Sequence, residues 1–166
     1  MKAFEIIKSD YNTRYRIFGR DVLTFHHYYR MVFDCKKASL TMPEQFDILN
    51  LDYELITRYC EGFDVLKFFE VCKKKFVGFI VMDSQDPVGY ICGSCKKNRL
   101  YIKYVYVYPS YRGHGYSQNL INIIKEKTCL QGYYLNVRPN NIAAVKSYER
   151  AGGVFRMNSN IAQCLN

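Results

Sequence analysis

Between Val105 and Ser117 the chain reads Val-Tyr-Val-Tyr-Pro-Ser-Tyr-Arg-Gly-His-Gly-Tyr-Ser and runs directly into Leu120, Ile121, Ile123 and Ile124. That order of residue types leaves few choices of local structure. A β-branched and aromatic run is stopped by Pro109, which cannot donate to a ladder. Two glycines then permit tight turns, and apolar residues at helical spacing follow. A strand, a glycine loop and a helix start in that order bring successive backbone N–H groups towards one point, where the helix N-terminus adds partial positive charge. The product is an anion site suited to a pyrophosphate, lined by the amides of Gly113, His114, Gly115, Tyr116, Ser117 and Gln118. The Arg112 guanidinium and the Ser117 hydroxyl can add donors. The loop lacks the Gly-Lys-Ser/Thr of a nucleotide-kinase P-loop, and it lacks the third glycine and downstream acid of a dinucleotide fingerprint.

The texture of the chain changes near residue 75. Phe76–Met82 and Val88–Cys92 are strand-like and are separated by Asp83-Ser84-Gln85-Asp86-Pro87, which is turn chemistry, so a hairpin is predicted. A third strand over Leu100–Tyr108, a helix over Tyr116–Thr128, a strand over Tyr133–Val137, a helix over Asn141–Arg150 and a small terminal hairpin follow. The first third reads as mostly helical. Phe4–Ile7 or Tyr15–Phe18 is an opening strand. Asp21 caps a helix to about Lys36 whose apolar face holds Val22, Phe25, Tyr29, Val32 and Phe33. A second helix starts near Pro43 and carries Phe46, Leu49, Leu55, Ile56 and Tyr59 up to Gly62, and Asp64 caps a short third one through Val71. The expected class is α/β (α+β), a mixed, mostly antiparallel sheet flanked by helices.

About 24 residues beyond the glycine loop stands Asn141-Ile142-Ala143-Ala144-Val145-Lys146-Ser147-Tyr148-Glu149-Arg150-Ala151-Gly152. Asn141, Ala144 and Tyr148 are three and four apart and share one helix face. Arg112-Gly113-His114-Gly115-Tyr116-Ser117 resembles the Gln/Arg-x-x-Gly-x-Gly/Ala signature of the GCN5-related N-acetyltransferase (GNAT) family, with the Val-x-Pro that precedes it there. The Asn141 segment resembles the family's second motif, Asn-x-x-Ala-x-x-x-Tyr-x-x-x-Gly. The resemblance runs from about Phe76 to Phe155. It departs at Ser117, where the family has Gly or Ala, and at Gly153-Val154, which come between Gly152 and Phe155.

The resemblance implies the GNAT fold with splayed central strands, and acetyl-coenzyme A as co-substrate. An N-acetyltransferase is then expected, whose amine acceptor attacks directly in a ternary complex. It implies that the pantetheine arm pairs with the backbone of Val105, Tyr106 and Val107 in the gap between two strands. Asn141 would hydrogen-bond that arm, an alternative to a plain N-cap, and Tyr148 would act as the general acid that protonates the leaving thiolate. Where family members often carry a carboxylate as base, this chain has Lys103 or Tyr104, and Asn136. A water chain, a tyrosine, or one of His26, His27, Asp34 and Glu54 from the N-terminal third is the candidate substitute. One domain over 1–166 is expected, with an acceptor-side part over 1–75 and a cofactor-binding core over 76–166.

Composition narrows the remaining classes. The formal net charge is +9, but the basic residues are spread out, and no nucleic-acid motif accompanies them. A polyanionic small ligand suits the charge, and a strongly cationic acceptor such as a polyamine does not. The seven cysteines are irregularly spaced, which argues against a disulfide framework. Cys92-Gly93-Ser94-Cys95 has metal-ligand spacing, but strand alternation sends its thiols to opposite faces, so no metal is expected. No apolar stretch is long enough for a membrane helix, and the N-terminus lacks an apolar signal core. A cytoplasmic protein, monomeric or homodimeric, is expected. Two rival readings are a non-catalytic acyl-coenzyme A-binding or regulatory module, and a ribosome- or nucleic-acid-associated protein.

Overall fold

The computed structural model describes residues 4–8, 12–18, 20–35, 42–60 and 64–164. Among them, nine strands form one sheet: β1 (Phe4–Lys8), β2 (Asn12–Ile17), β3 (Arg20–Phe33), β4 (Phe46–Asn50), β5 (Phe76–Asp83), β6 (Asp86–Lys96), β7 (Arg99–Val107), β8 (Gly132–Val137) and β9 (Val154–Cys164). Their order is β1-β2-β3-β8-β7-β6-β5-β4, and β9 pairs with β3 off that path. Every pairing is antiparallel except β7 with β8. Four helices flank the sheet: α1 (Tyr53–Tyr59), α2 (Val65–Cys72), α3 (Tyr116–Thr128) and α4 (Ile142–Arg150). The expected mixed α/β architecture is the observed one.

The N-terminal third departs from the sequence expectation. The helix predicted from Asp21 is β3, paired with β2 at one end, β8 at the other and β9 over Leu23–Val32. Its composition is β-branched and aromatic, so helical spacing of the apolar residues and strand propensity pulled in opposite directions. Long-range pairing on both edges decides for the strand. The helix predicted from Pro43 is β4, followed by α1 only at Tyr53, where the Asp52 side chain accepts from the Leu55 N–H at 2.9 Å. Gly62, its predicted end, lies outside the described residues. Phe4–Ile7 and Tyr15–Phe18 prove not to be alternatives, since β1 and β2 pair with one another. The small terminal hairpin is one long strand, β9.

The two faces of the sheet carry separate apolar clusters. On one face Leu120, Ile121, Ile123 and Ile124 of α3 are fully buried against Leu100, Ile102, Leu135 and Met31. At about 1.5–3 kcal/mol for each such side chain, this face holds α3 firmly. On the other, Ile56 of α1 and Val65 of α2 meet Ile80, Tyr90 and Cys92. Cys92 belongs to the second cluster and Cys95 packs against the first, so alternation does divide the two thiols.

One irregularity positions everything that follows. Along the β6–β7 ladder Cys92 pairs with Tyr104 but Gly93 with Ile102, leaving Lys103 as the extra residue of a bulge on β7. The parallel ladder with β8 stops at Ile102 and Leu135. Beyond it the two strands part. Gly93 is what the bulge requires, because a Cβ there would sit 2.1 Å from the Tyr101 carbonyl oxygen. Gly93→Ala should therefore cost about 1–3 kcal/mol or more, a larger loss than an ordinary strand Gly→Ala change. Urea unfolding monitored by circular dichroism measures it, and an unchanged midpoint would show that the bulge relaxes freely.

Candidate functional site

The end of β7 runs into a 3-10 turn over Pro109–Tyr111 and then the glycine loop. Gly113 and Gly115 have φ of +85° and +80°, the left-handed region, and a Cβ added at either would meet nothing within 4 Å. Glycine is thus needed here for conformation, while the space above the loop stays open. Gly115 is the N-cap of α3 and offers no capping side chain, so the first amides of the helix face that space. The Gln118 N–H is already committed, donating to the Gly115 carbonyl at 3.0 Å.

The loop is fastened from several sides. Tyr111 and Tyr116 pack edgewise or tilted against Phe46 of β4, with ring centroids 6.3 and 5.7 Å away. Tyr111 donates to Asp83 Oδ2 at 3.3 Å. Arg112 folds back, its Nε donating to the Val107 carbonyl at 3.0 Å and its guanidinium lying over the Tyr106 ring at 5.5 Å. The Tyr108 hydroxyl donates to the Tyr59 carbonyl, tying the end of β7 to α1. Ser117 Oγ and Ser147 Oγ share a 2.5 Å hydrogen bond that joins the start of α3 to α4.

These elements enclose a cleft of about 400 Å³, lined by Val105, Tyr106 and Val107 of β7, by Tyr111–Gly113 and Gly115–Ser117 of the loop, and by Ala143, Ala144, Ser147, Tyr148 and Arg150 of α4. The Tyr108 N–H donates to the Val88 carbonyl at 3.0 Å on β6, and Tyr106 pairs with Tyr90 of the same strand. By alternation along a strand, Val105 and Val107 turn their N–H and C=O groups the other way, into the gap left by β8. Arg112 takes the Val107 carbonyl, and the rest of that edge faces the cleft. Tyr148 is buried, 9% exposed, with its ring 6.5 Å from that of Phe33 in an edge-on arrangement. Burial pushes its hydroxyl pKa up to about 12, so it keeps its proton at neutral pH.

Most of the predicted residues meet in this cleft: Val105, Tyr106, Val107, Arg112, Gly113, Gly115, Tyr116, Ser117 and Tyr148. Three do not line it. His114 faces back to the Tyr111 carbonyl at 3.4 Å and stacks on Tyr116, and Gln118 spends its amide within the helix. Asn141 is exposed and takes its N-cap role, accepting from the Ala144 N–H at 3.3 Å. None of the described cleft-lining residues is Asp, Glu or His. Asp34 pairs with Lys125 at 3.5 Å, Glu54 is exposed in the first turn of α1, and Asn136 accepts from Arg30 at 3.3 Å. His26 and His27 lie on β3, where their side chains are outside the described part.

Sequence reasoning missed Phe46 as the anchor of the loop, having placed it in a helix, and it missed Tyr111, Ser147 and Arg150 as cleft residues. Ser147 follows from Ala144 by helical spacing, and Arg150 from Ser147. The Ser117–Ser147 bond has no signal in either motif alone. A double-mutant cycle on Ser117→Ala and Ser147→Ala tests it by denaturant unfolding. A coupling of about 0.5–1.5 kcal/mol is expected, and additive single losses would mean that the hydroxyls do not interact.

The model of the Acetyltransferase (GNAT) family matches residues 35–153 of the chain. No curated protein matches it in sequence. Among solved structures, a GCN5-related N-acetyltransferase from Sphaerobacter thermophilus is similar with a TM-score of 0.62 at 17% identity, over 86% of this chain and 51% of that one. The ribosomal-protein-S18-alanine N-acetyltransferase from Escherichia coli aligns over 64% of this chain and 76% of its own, with a TM-score of 0.56 and 19% identity. An aminoglycoside N-acetyltransferase in complex with coenzyme A aligns over 69% of this chain and 95% of its own, with a TM-score of 0.55 and 16% identity. At these identities the likeness is one of fold, and the chain spans about half the length of the first of them. The glycine loop, the forked sheet and the matched residues agree: the chain belongs to the GNAT acetyltransferase family.

Proposed function

We propose that this chain is a single-domain N-acetyltransferase that moves an acetyl group from acetyl-coenzyme A to an amine by direct attack. The observation that carries this reading is the continuity of one cleft, from open, left-handed glycines at the start of α3 to a buried tyrosine on α4, along the unpaired edge of β7. The amides of Gly113, Gly115, Tyr116 and Ser117 would hold the pyrophosphate, and Arg150 stands in the same cleft as a further cation. The unpaired backbone around Val105 would pair with the pantetheine arm. Acetyl-coenzyme A supplies the activated thioester. Membership in the family supports this substrate, and the +9 charge suits a polyanion.

Tyr148 is the candidate general acid. A buried phenol, held neutral, can give its proton to a departing thiolate that would otherwise need water. Without a carboxylate or histidine among the described residues of the cleft, the acceptor ammonium would lose its proton to solvent before attack. Positioning would then supply most of the rate.

Calorimetry with acetyl-coenzyme A should show binding, lost about tenfold or more in Gly115→Ala, because φ of +80° is strained for any Cβ-bearing residue. Tyr148→Phe should lower kcat about 100-fold with little change in that binding constant. No binding at all would sink the proposal, and full activity in Tyr148→Phe would remove the acid. In wild-type protein kcat/KM should rise with pH along the acceptor amine's own titration. It should show no descending limb from Tyr148 below about pH 11, since the tyrosine's pKa lies near 12.

A further inference from the structure

The ladder between β7 and β8 ends at Ile102 and Leu135, and the gap beyond it lies between the α3/α4 face of the sheet and the α1/α2 face. On the α3/α4 side lie Tyr148 and Ser147. On the opposite face α1 and α2 cover β5, β6 and the end of β7, with the Tyr108 hydroxyl bonded to the Tyr59 carbonyl and Phe68 of α2 packed edgewise on Tyr104. Beyond it the sheet carries a band from β7 across β8 to β3, made of residues that alternate away from the buried Ile102, Leu135 and Met31. Tyr101 and Tyr134 stack with centroids 5.3 Å apart, and Arg30 lies 5.5 Å above the Tyr134 ring. Asn136 accepts from Arg30 Nε at 3.3 Å. Lys103, the bulge residue, reaches over the Tyr104 ring at 5.8 Å.

The place of this band is set by register. Asn136 follows Leu135 and Lys103 follows Ile102, the last rung of the parallel ladder, so the two residues stand on either side of the opening. Arg30 pairs directly with Asn136 across β3 and β8. Its Nε is fixed by Asn136, which leaves the paired Nη groups of an exposed guanidinium, among the described residues, as a fork for two oxygens. Among the described residues neither Arg30 nor Lys103 has a carboxylate within ion-pair distance, and the acidic charge felt on the band, that of Asp64, acts on Tyr104. Among the described residues, a cationic acceptor would meet two cations at the mouth of the fork with no carboxylate in ion-pair distance of either.

We infer that the acceptor carries an anionic group, a carboxylate or a phosphate, which Arg30 and Lys103 hold at the fork while its amine reaches through towards the thioester. The inference rests on the acetyltransferase reading above. Asn136 is a positioning residue for Arg30, and the stacked Tyr101 and Tyr134 rings give the rest of the acceptor an apolar floor. Cations at these positions bind the substrate and cannot act as the base.

Thiol release from acetyl-coenzyme A is measured with matched amines: phenylalanine against phenylalaninamide, O-phosphoethanolamine against ethanolamine, and spermidine and kanamycin as polycations. The anionic member of at least one pair should be preferred about tenfold or more in kcat/KM, and which pair responds separates carboxylate from phosphate. Arg30→Gln should raise KM for the anionic member and shrink the preference, while acetyl-coenzyme A binding, on the other side of the fork, holds; a merely structural role would lower activity with both members alike. Binding of the same amines to coenzyme A-loaded protein, followed by calorimetry, gives the answer where turnover is too slow to see. Preference for spermidine or kanamycin, or no preference for the anionic member in either pair, overturns the inference while the acetyltransferase reading stands. Failure to bind acetyl-coenzyme A overturns that reading first.

Discussion

The structure turns on two strands that stop pairing. Parallel β7 and β8 share a ladder only over Arg99–Ile102 and Gly132–Leu135. If it continued, the N–H and C=O groups of Val105 and Val107 would be spent inside the sheet, and the faces would be sealed from one another. The bulge at Lys103 prevents this by shifting the register on β7, and it depends in turn on the missing side chain of Gly93. An unsatisfied backbone edge in a half-buried setting is costly, of the order of a kcal/mol or more for each group. The fold tolerates it where the edge lines an open cleft. One such group, the Val107 carbonyl, is satisfied by the Arg112 side chain, so the arginine of the glycine motif serves the strand end in this state.

An open edge is useful only if the groups around it stay in place, and here each neighbour is tied to a different element. The loop is braced by Phe46 from β4 and by Asp83 from the end of β5. The helix after it is held by four fully buried aliphatic side chains and linked to α4 by paired serines. At the far end of α3 the buried Tyr133 hydroxyl accepts from the Leu130 N–H at 2.8 Å and donates to the Lys125 carbonyl at 3.2 Å, so the helix is closed onto β8 at the other side of the fork. The glycines supply conformation, and rigidity comes from outside the loop.

This division explains what the sequence disclosed. From Phe76 to Arg150, strand and helix periods agree with local propensity and with turn residues such as Pro109, Gly113 and Gly115. Local rules were enough there: α3 spans Tyr116–Thr128 as the spacing predicts, and α4 starts behind its Asn141 cap. In β3 they were not. Tyr29, Met31 and Phe33 point to the core in strand alternation, yet Val22, Phe25, Tyr29, Val32 and Phe33 also trace a helical stripe. A strand of 14 residues is longer than usual, which makes the stripe more persuasive. Only its partners β2, β8 and β9 settle the matter, and pairing between residues so far apart leaves no trace in a local window. The bulge was equally hidden, because Lys103 looks like any strand residue until Gly93 is set opposite it. In the sequence Gly93 reads only as the spacer between two cysteines.

The two ends of the cleft differ in how they treat protons. Tyr148 sits where burial disfavours the phenolate, so it can give a proton away and is restored once solvent returns. At the other side of the fork the nearby charges are cationic, and a cation lowers the pKa of an ammonium close to it, because two like charges each favour the loss of a proton from the other. Lys103 and Arg30 would therefore make an incoming ammonium more acidic without taking its proton themselves. An anionic group on the same molecule would offset the repulsion that keeps such an amine out. Seen this way, lysine where a carboxylate base is expected fits the chemistry: the field that attracts the acceptor's anion also helps its amine to arrive neutral.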